Sequence, residues 1–433
     1  MTFPIRLLLL ISVVLINLGV PTKSYATTSL QQQIDEASPG TTITIDAGVY
    51  YENLTITKPL RVVGTGRVVL ISPTDEAVIS ILETKDVELQ HLTLEAKSSK
   101  KQATGIVVKN SGDISIQQVE LHQFFQSIDF FRVKESSINN VGITGPKGHF
   151  TNKSNGITLT DTADIKVNHV RIEHVLDGLY MNRDRNSVIH ETDISQSRYA
   201  IHLMYSEGTS IFQNHLYENV TGIMHMMTSH SHIRENVIEK HHEYNGFGMV
   251  LFDGKSIEVD KNQIRSNQGG ISFQQIDSSS IVENVITNNQ TALQFQLYGA
   301  ANQFAGNDLF GNIVSATSDQ HGATLLGNYW DDYNGMDFDA NGYGDTPYQS
   351  SDSYAKLMVK RNEFQVFFES PAVATLNQIE KQLTLNPKNS VSDAKPLMHR
   401  SRSQQPIHIN WIMLLVGTIS IVGGIGIWRK IAS

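Results

Sequence analysis

Small and hydrophobic residues recur every 22 positions along the middle of the chain. The small residues of this repeat are Gly156, Gly178, Ala200, Gly222, Gly248, Gly270 and Ala292. Each is followed by an apolar residue: Ile157, Leu179, Ile201, Ile223, Met249, Ile271 and Leu293. A fixed period of this size is typical of a solenoid. Because alternate residues of a strand face opposite sides, we expect the apolar residues in the interior and their neighbours on the outer surface.

Asparagine follows the same period. The residues, spaced by 22, 26 and 22, are Asn214, Asn236, Asn262 and Asn284. Stacked amides at a coil corner can hydrogen-bond one another. The longer interval also occurs among the small residues, and it places four extra residues within 239–243. We therefore predict an all-β fold for residues 27–326, a right-handed parallel β-helix with coils of roughly 22 residues.

Both ends of the chain resemble targeting segments. Residues 1–26 combine Arg6, an apolar stretch and small residues near position 26, which is typical of a secretory signal peptide; a retained N-terminal anchor is the alternative. Residues 409–428 are uncharged, largely apolar and long enough for a transmembrane helix. Basic residues at the start of the tail 429–433 favour a cytoplasmic tail. The sequence thus predicts a periplasmic protein anchored in the cytoplasmic membrane by a C-terminal helix.

Two further regions separate the solenoid from the membrane segment. Residues 327–383 comprise an acidic, glycine-rich loop and a segment, helical or extended, that caps the last coil. Residues 384–408 are polar and have no sustained apolar periodicity. We therefore predict that they form a flexible linker.

The acidic loop holds part of a calcium-binding pattern. Oxygen-bearing side chains occupy its positions 1, 3, 5 and 9: Asp337, Asp339, Asn341 and Asp345. Gly342 stands at position 6, as in an EF-hand loop. Position 12 is Tyr348 rather than a bidentate Glu, so we expect a calcium affinity that is modest at most. The alternative is a tight turn held by local hydrogen bonds from Asp and Asn.

Composition narrows the candidate chemistry. The 433-residue chain has no Cys, which excludes disulfides and thiolate metal sites and leaves His, Met and carboxylates as ligands. Its formal net charge is −9. This charge argues against nucleic acid as a partner, because phosphate binding needs a basic surface.

Two consecutive coils place histidine and methionine at outward positions. The four residues are His202, Met204, Met224 and Met226. Neighbouring coils lie about 4.8 Å apart and alternate residues of a strand about 6.6 Å apart, so these flexible side chains can converge. Thioether sulfur is a soft ligand that selects Cu(I), and imidazole also binds copper; the pattern therefore predicts a site for transient copper binding. Protein docking and ordinary packing of adaptable Met side chains are the alternatives.

Further side chains near these four are secondary ligand candidates: His225, Met227, His230, His232, His241 and His242. The first two have inward parity, so we expect them in the core or at a corner. The other four lie in or beside loops from which an imidazole could close over the site. Histidines in loops are more often simply solvated.

Three stretches carry a resemblance to a known family: HLMYS at 202–206, MHMM at 224–227, and GNYWDDY at 327–333, followed by the acidic loop 337–348. With the solenoid and the signal peptide, they resemble the NosD family of periplasmic accessory proteins for nitrous oxide reductase maturation. The resemblance implies a β-helix that works with an ABC permease and its ATPase. It also implies that copper arrives from a copper donor protein and is used to assemble the copper–sulfur centre of the reductase.

A second class of function is open, because extracytoplasmic β-helices are often polysaccharide lyases, hydrolases or epimerases. Such enzymes need acidic and basic groups that converge in an outer groove. The candidates here are Asp161, Asp164 and the run 183–185, all of which we place at turns. A purely structural adhesin would not explain the clustered thioethers. No Ser/His/Asp elbow, phosphate loop or zinc-enzyme motif occurs, so we expect that the chain is not an enzyme.

Overall fold

The computed structural model describes residues 29–401 apart from 97–102, 245, 320–321, 351–353, 355–356, 359–360, 368–369, 374, 377–378 and 380–389. The predicted signal peptide 1–26, transmembrane helix 409–428 and tail 429–433 lie outside these residues. Within the described part of the chain, no helix has the length and hydropathy of a membrane span.

The described chain winds into a parallel β-solenoid of about 13 turns with coils of about 22 residues, which confirms the predicted parallel β-helix. Each coil contributes short strands to three ladders. The first ladder contains β2 (Leu54–Ile56), β4 (Ile79–Leu82), the first part of β6 (Thr104–His122), β7 (Gln126–Lys134), β10 (Ile157–Thr160), β13 (Asp177–Asn182), β16 (Tyr199–Met204), β19 (Thr221–Met226), β22 (Phe247–Phe252), β25 (Gly269–Gln274), β28 (Thr291–Gln296) and β31 (Val314–Ser318).

The other two ladders complete each coil. The second contains β8 (Ser137–Asn139), β11 (Lys166–Asn168), β14 (Val188–His190), β17 (Ser210–Phe212), β20 (His232–Arg234), β23 (Glu258–Asp260), β26 (Ser280–Val282) and β29 (Gln303–Ala305). The third contains β9 (Gly142–Thr144), β12 (Arg171–Glu173), β15 (Asp193–Ser195), β18 (His215–Tyr217), β21 (Val237–Glu239), β24 (Gln263–Arg265), β27 (Val285–Thr287), β30 (Asp308–Phe310) and β33 (Tyr329–Trp330).

The remaining elements lie toward the ends of the solenoid or in its loops. Three long strands form the first coils: β1 (Thr42–Tyr50), β3 (Leu60–Ile71) and β5 (Lys85–Glu95). A helix, α1 (Leu30–Glu36), has buried Leu30 and Ile34 side chains and packs against β1 and β2. Two short 3-10 helices span Phe150–Asn152 and Asn362–Phe367, and a second sheet contains β32 (Ala323–Leu325), β34 (Tyr348–Gln349) and β35 (Val391–Asp393).

The interior is a continuous stack of aliphatic and aromatic side chains. All seven apolar residues that follow the small positions are fully buried, as the repeat predicts. The small residues are required at these positions because the chain approaches closely: a Cβ on Gly178 would lie 2.5 Å from the carbonyl oxygen of Ala200. In later coils the aliphatic stack becomes aromatic, with Phe273 and Phe295 stacked at 5.0 Å between ring centroids.

The predicted asparagine ladder is present at one corner and is longer than expected. It continues beyond Asn284 through Asn307 to Asn328, and each side-chain amide donates to the Oδ1 of the next at 2.9–3.0 Å. Each Nδ2 also donates to a backbone carbonyl of the preceding coil, as Asn236 does to Ile211 at 3.0 Å. The ladder therefore satisfies buried backbone and side-chain groups together.

A second asparagine ladder, which is not predicted from the sequence, lies at the next corner. Its members are Asn219, His241, Asn267, Asn289 and Asn312. His241 takes an asparagine position, so the four extra residues follow it rather than lying within 239–243. The first of these, His242, is exposed, as is Tyr244.

The C-terminal part of the described chain returns to the solenoid. Strand β35 pairs with β32, and the carboxylate of Asp393 accepts hydrogen bonds from Gly327 N–H, from Asn328 N–H and Nδ2, and from Trp330 Nε1. Arg400 lies over the Phe310 ring. The prediction of a flexible linker is therefore wrong for residues 390–401, because a buried carboxylate with four donors holds them against the last coil.

Candidate metal centre

Two rows of side chains run along the outer face of the first ladder. The first row is Thr158, Tyr180, His202, Met224, Val250, Ser272 and Gln294. The second row is Thr160, Asn182, Met204, Met226, Phe252, Gln274 and Gln296. Strand register thus places His202 beside Met224 and Met204 beside Met226. We call these four residues the His–Met patch.

The patch is more enclosed than the sequence predicts. His202 points outward but is only 7 % exposed, and the three Met side chains are half-buried. Two tyrosine rings account for the cover over His202, since Tyr180 and Tyr199 pack edge-to-face against the imidazole with centroids 5.1 and 5.0 Å away. Alternation along a strand predicted the direction of His202 correctly. Its cover comes from Tyr199 on the same strand and from Tyr180 on the preceding coil.

A buried ion pair holds the imidazole in place. Asp177 begins β13 and is 1 % exposed. Its Oδ2 lies 2.9 Å from His202 Nδ1, and it accepts from Arg198 Nε and Nη2 at 2.9 and 2.7 Å. Burial alone would raise the pKa of the Asp177 carboxyl, but the hydrogen bonds from His202 and Arg198 outweigh it and hold that pKa below its usual value. The carboxylate is therefore ionised at neutral pH.

The donor set of the patch fits a soft cation. His202 Nε2 is buried and has no hydrogen-bond partner among the described residues, and the register places thioethers on the same strand and on the next one. The sulfur of Met204 lies 3.5 Å from the Tyr180 hydroxyl. One imidazole nitrogen and three thioethers are ligands that copper accepts, and the thioethers favour Cu(I).

A groove of about 1140 Å³ runs along the outer rows, and only the two Met residues of the second coil of the patch line it. Met224 and Met226 lie at one end, and Gln274 and Gln296 line the part toward the C-terminal coils. Arg361, just before the second 3-10 helix, also contributes to the lining. Methionine sulfur is therefore accessible to a partner or small molecule that enters the groove.

Some of the secondary ligand candidates lie inside the solenoid or at its corners. His225 is buried inside the solenoid, where its Nε2 contacts Ser231 Oγ at 3.0 Å; burial lowers its pKa to about 4. Burial lowers the pKa of His241 to about 3. Met227 lies at a corner with φ 50°. The inward or corner positions predicted for His225 and Met227 are thus confirmed.

The other histidines occupy different surroundings. His230 has a carboxylate partner, Glu207, at 3.6 Å, and His232 lies 2.6 Å from Asp260 on the second ladder. His242 is exposed in the longer loop. His230 and His232 are thus engaged by carboxylates, whereas His242 lies in the loop whose Tyr244 lines the groove beside Met224 and Met226.

The acidic loop brings three of its four predicted ligands together. The nearest carboxylate oxygens of Asp337, Asp339 and Asp345 lie within 4.8 Å of one another. The fourth, Asn341, accepts from the Tyr343 N–H with its Oδ1. At position 12, Tyr348 is buried and stacks on Trp330, so it completes the cap of the solenoid and not the loop. Hydrogen bonds from the Gly342 and Asn341 N–H groups lower the pKa of Asp337, as expected of the predicted tight turn.

The register also predicts Tyr180 as a flanking residue of the patch, and the structure confirms this contact, but sequence reasoning missed Asp177 and Arg198 as neighbours. One signal was present: Asp177 is an acid at a strand position where neighbouring coils have Asn155, Tyr199 and Thr221. A charged residue at one repeat of an otherwise neutral position marks a departure from the structural pattern.

A family model matches the part of the chain that contains the patch. Residues 138–335 match the model of NosD, described as "Periplasmic copper-binding protein (NosD)". The resemblance to the NosD family is confirmed. The NosD segment, as we call residues 138–335, includes the whole His–Met patch and the GNYWDDY stretch.

Two curated NosD proteins match shorter parts of the chain. Both are named "Probable ABC transporter binding protein NosD". The protein of Pseudomonas aeruginosa is 28% identical over 126 residues, which are 29% of this chain and 29% of that protein. The protein of Stutzerimonas stutzeri is 27% identical over 99 residues, 23% of each chain. The matched part thus spans less than a third of the length of either relative.

A solved structure supports the fold alone. The A-module of the mannuronan C-5 epimerase AlgE6 from Azotobacter vinelandii superposes with a TM-score of 0.58 at 14% identity, and covers 66% of this chain and 90% of that module. At this identity the likeness says that both chains form parallel β-helices and carries no information on chemistry.

Proposed function

We propose that this chain is a periplasmic, membrane-tethered maturation factor that handles copper, sulfur or both during assembly of the copper centre of nitrous oxide reductase. The single observation that carries the proposal is the His–Met patch. One imidazole and three thioethers lie side by side on two coils within the NosD segment.

Cu(I) is the cargo in this proposal, not a resident cofactor. Thioether sulfurs bind Cu(I) but do not carry the negative charge of a thiolate, so a cysteine-free site can release its metal to an acceptor with stronger ligands. The half-buried Met side chains on the groove suit such a transfer, because a partner can approach them without unfolding the solenoid. The patch therefore combines selective binding with access.

The proposed partners follow from this role in copper transfer. The two curated relatives are named as binding proteins of an ABC transporter, and we propose that this chain likewise works with an ABC permease and its ATPase. A copper donor protein would load the patch, and nitrous oxide reductase would receive the product. In this scheme ATP hydrolysis belongs to the transporter, and the chain itself is not an enzyme.

Polysaccharide binding or processing is the second candidate, and the groove is the observation that favours it. Its length and its Gln side chains suit a hydroxyl-rich chain. Among the lining residues that the structure describes, however, Glu363 is the only carboxylate, whereas glycoside hydrolysis needs a pair. Asp161 forms an exposed ion pair with Arg183, and Asp184 is buried; neither lines the groove. A uronate-polymer turnover assay of the purified chain tests this candidate.

A pair of double variants tests the copper proposal. Met204→Ala with Met226→Ala removes two thioethers from the patch, and we expect loss of Cu(I) binding in a competition titration against a chromophoric Cu(I) chelator. The unfolding free energy should fall by only about 1 kcal/mol, since these side chains are not in the core.

The matched control changes two interior methionines instead. Met181→Ala with Met249→Ala should keep the Cu(I) affinity of the natural chain but cost about 2–5 kcal/mol per site, because both side chains are fully buried. If the patch variant binds Cu(I) like the natural protein and melts early, the four residues are packing and the copper proposal fails.

A further inference from the structure

His202 has two ring nitrogens in different surroundings. Nδ1 lies 2.9 Å from the Asp177 carboxylate, and Nε2 is buried without a hydrogen-bond partner among the described residues. A neutral imidazole carries one N–H, and an ionised carboxylate can only accept. The hydrogen of neutral His202 is therefore on Nδ1, which leaves the lone pair on Nε2.

The inference drawn from this geometry rests on the proposed copper function and adds a residue to it. We propose that Asp177 is a positioning residue: by accepting the Nδ1–H of His202, it fixes the ring and presents Nε2 as the nitrogen that ligates Cu(I). A carboxylate behind a ligating imidazole fixes the tautomer and raises the basicity of the ligating nitrogen.

Arg198 makes this arrangement stable. Its guanidinium pairs with both oxygens of Asp177 in a bidentate geometry, the strongest arrangement for a carboxylate. The charge of Asp177 is thereby balanced where water has little access. The Asp177 carboxylate is thus engaged as an acceptor and does not compete for the cation, which leaves His202 and the thioethers to bind it.

His202 differs in position from two other histidines that also have an unpaired ring nitrogen. His225 Nδ1 and His241 Nε2 are also buried without partners in the described chain. Both rings are inside the solenoid, one beside Gly254 and the other beside Gly222. Only the His202 ring combines an unpaired nitrogen with the outer row that carries Met224, and only its other nitrogen contacts a carboxylate.

A purely structural brace between two coils is the competing explanation, and the chain offers a matched control for it. Asp161 and Arg183 form the same kind of bidentate pair across neighbouring coils, at 2.6 and 3.1 Å. No His contact with that pair is seen in the described structure. Asp161→Asn thus removes an inter-coil ion pair without touching an imidazole.

The experiment combines two readouts on the full chain. The first is nitrogen NMR of protein labelled with 15N at histidine, in which His202 is assigned by the signals lost in His202→Gln. The second is Cu(I) affinity by chelator competition. The variants are Asp177→Asn, Asp177→Glu as the conservative rescue, and Asp161→Asn as the control.

We expect the copper-free natural chain to hold the His202 hydrogen on Nδ1. Asp177→Asn should populate the Nε2–H form and weaken Cu(I) binding by about 10- to 100-fold. Asp177→Glu should restore part of the Nδ1–H population and part of the Cu(I) affinity. Asp161→Asn should change neither the tautomer nor the affinity. A structural brace would not move the tautomer and the affinity together.

Three outcomes would overturn the inference, and they are distinguishable from failure of the proposed function. A natural chain with the His202 hydrogen on Nε2 contradicts it directly, whether or not any variant folds. Unchanged Cu(I) affinity in Asp177→Asn removes the positioning role but leaves the copper function standing. Absence of Cu(I) binding by the natural chain ends the copper function, and the ligand role of His202 with it.

Discussion

The first asparagine ladder and the His–Met patch lie on the same coils but follow opposite rules. In the ladder one residue type recurs from coil to coil, and each amide has partners on both sides. In the patch the row through His202 changes residue type at every coil, from Tyr180 to His202, Met224 and Val250, and His202 Nε2 has no partner among the described residues. Repetition with full hydrogen bonding indicates a role in stability, whereas irregularity with an unpaired atom indicates a role in binding.

Of the two regions compared, the first asparagine ladder should show the larger effect on stability. Asn236→Ala removes the acceptor of the Asn214 N–H and Nδ2 and the donor to the Ile211 carbonyl. Each buried group left unpaired costs about 1–3 kcal/mol, so we expect the unfolding free energy in urea to fall by about 3 kcal/mol or more. Cu(I) affinity should not change. A loss of copper binding with unchanged stability would reverse the comparison.

His241 sharpens the comparison because it is a titratable residue in a ladder position. The unfolded chain protonates His241 near pH 6.5, whereas the folded chain does so only near pH 3 because the ring is buried. Between these values the unfolded state binds more protons, so acid lowers the unfolding free energy by about 1.4 kcal/mol per pH unit. His241→Asn restores the ladder residue and should remove this slope.

Urea unfolding of both proteins at pH 6.5 and pH 4.5 measures the difference. The slope in this range also depends on His225, whose pKa burial lowers to about 4, and on Asp184, whose pKa burial raises to about 6. Asp184 acts with the opposite sign, since its folded form binds the proton first and loses stability as pH rises. Both are the same in the two proteins and cancel. Equal slopes would show that His241 is not a buried neutral ring.

The exposed ion pair of Asp161 and Arg183 should show the smallest effect. Exposed pairs gain little because water screens the charges and both side chains lose freedom. We expect Asp161→Asn to leave the melting temperature unchanged within error in differential scanning calorimetry. A marked loss would mean that charge pairs on the outer face share the structural role that we assign to the asparagine ladders.

The period made most of the fold predictable, because register in a parallel solenoid follows from spacing alone. The inward row, the first four ladder asparagines and the adjacency of His202 with Met224 all come from the 22-residue spacing. The cover of His202 was not predictable in this way. It depends on how far the side chains of Tyr180 and Asp177 reach from the preceding coil, and on how the Tyr199 ring turns within the strand of His202. Neither property has a period.

The C-terminal cap shows a second limit. Asp393 binds Asn328 from 65 positions along the chain, and no repeat links the two residues. Its surroundings in sequence are polar, so hydropathy predicts a linker. Only the buried donors at the end of the ladder, which a linear pattern does not reveal, explain why this segment folds back.

Asp393 ends the first asparagine ladder of the solenoid. Every ladder asparagine accepts from the coil before it and donates onward, so the stack could in principle be extended by any chain that presents another amide. A carboxylate accepts Asn328 Nδ2 but has no hydrogen to pass on. Together with β35 it covers what would otherwise be an open sheet edge. An amide presented by another chain would meet a carboxylate that already accepts hydrogen bonds from Asn328 and Trp330, which disfavours end-to-end association at this corner.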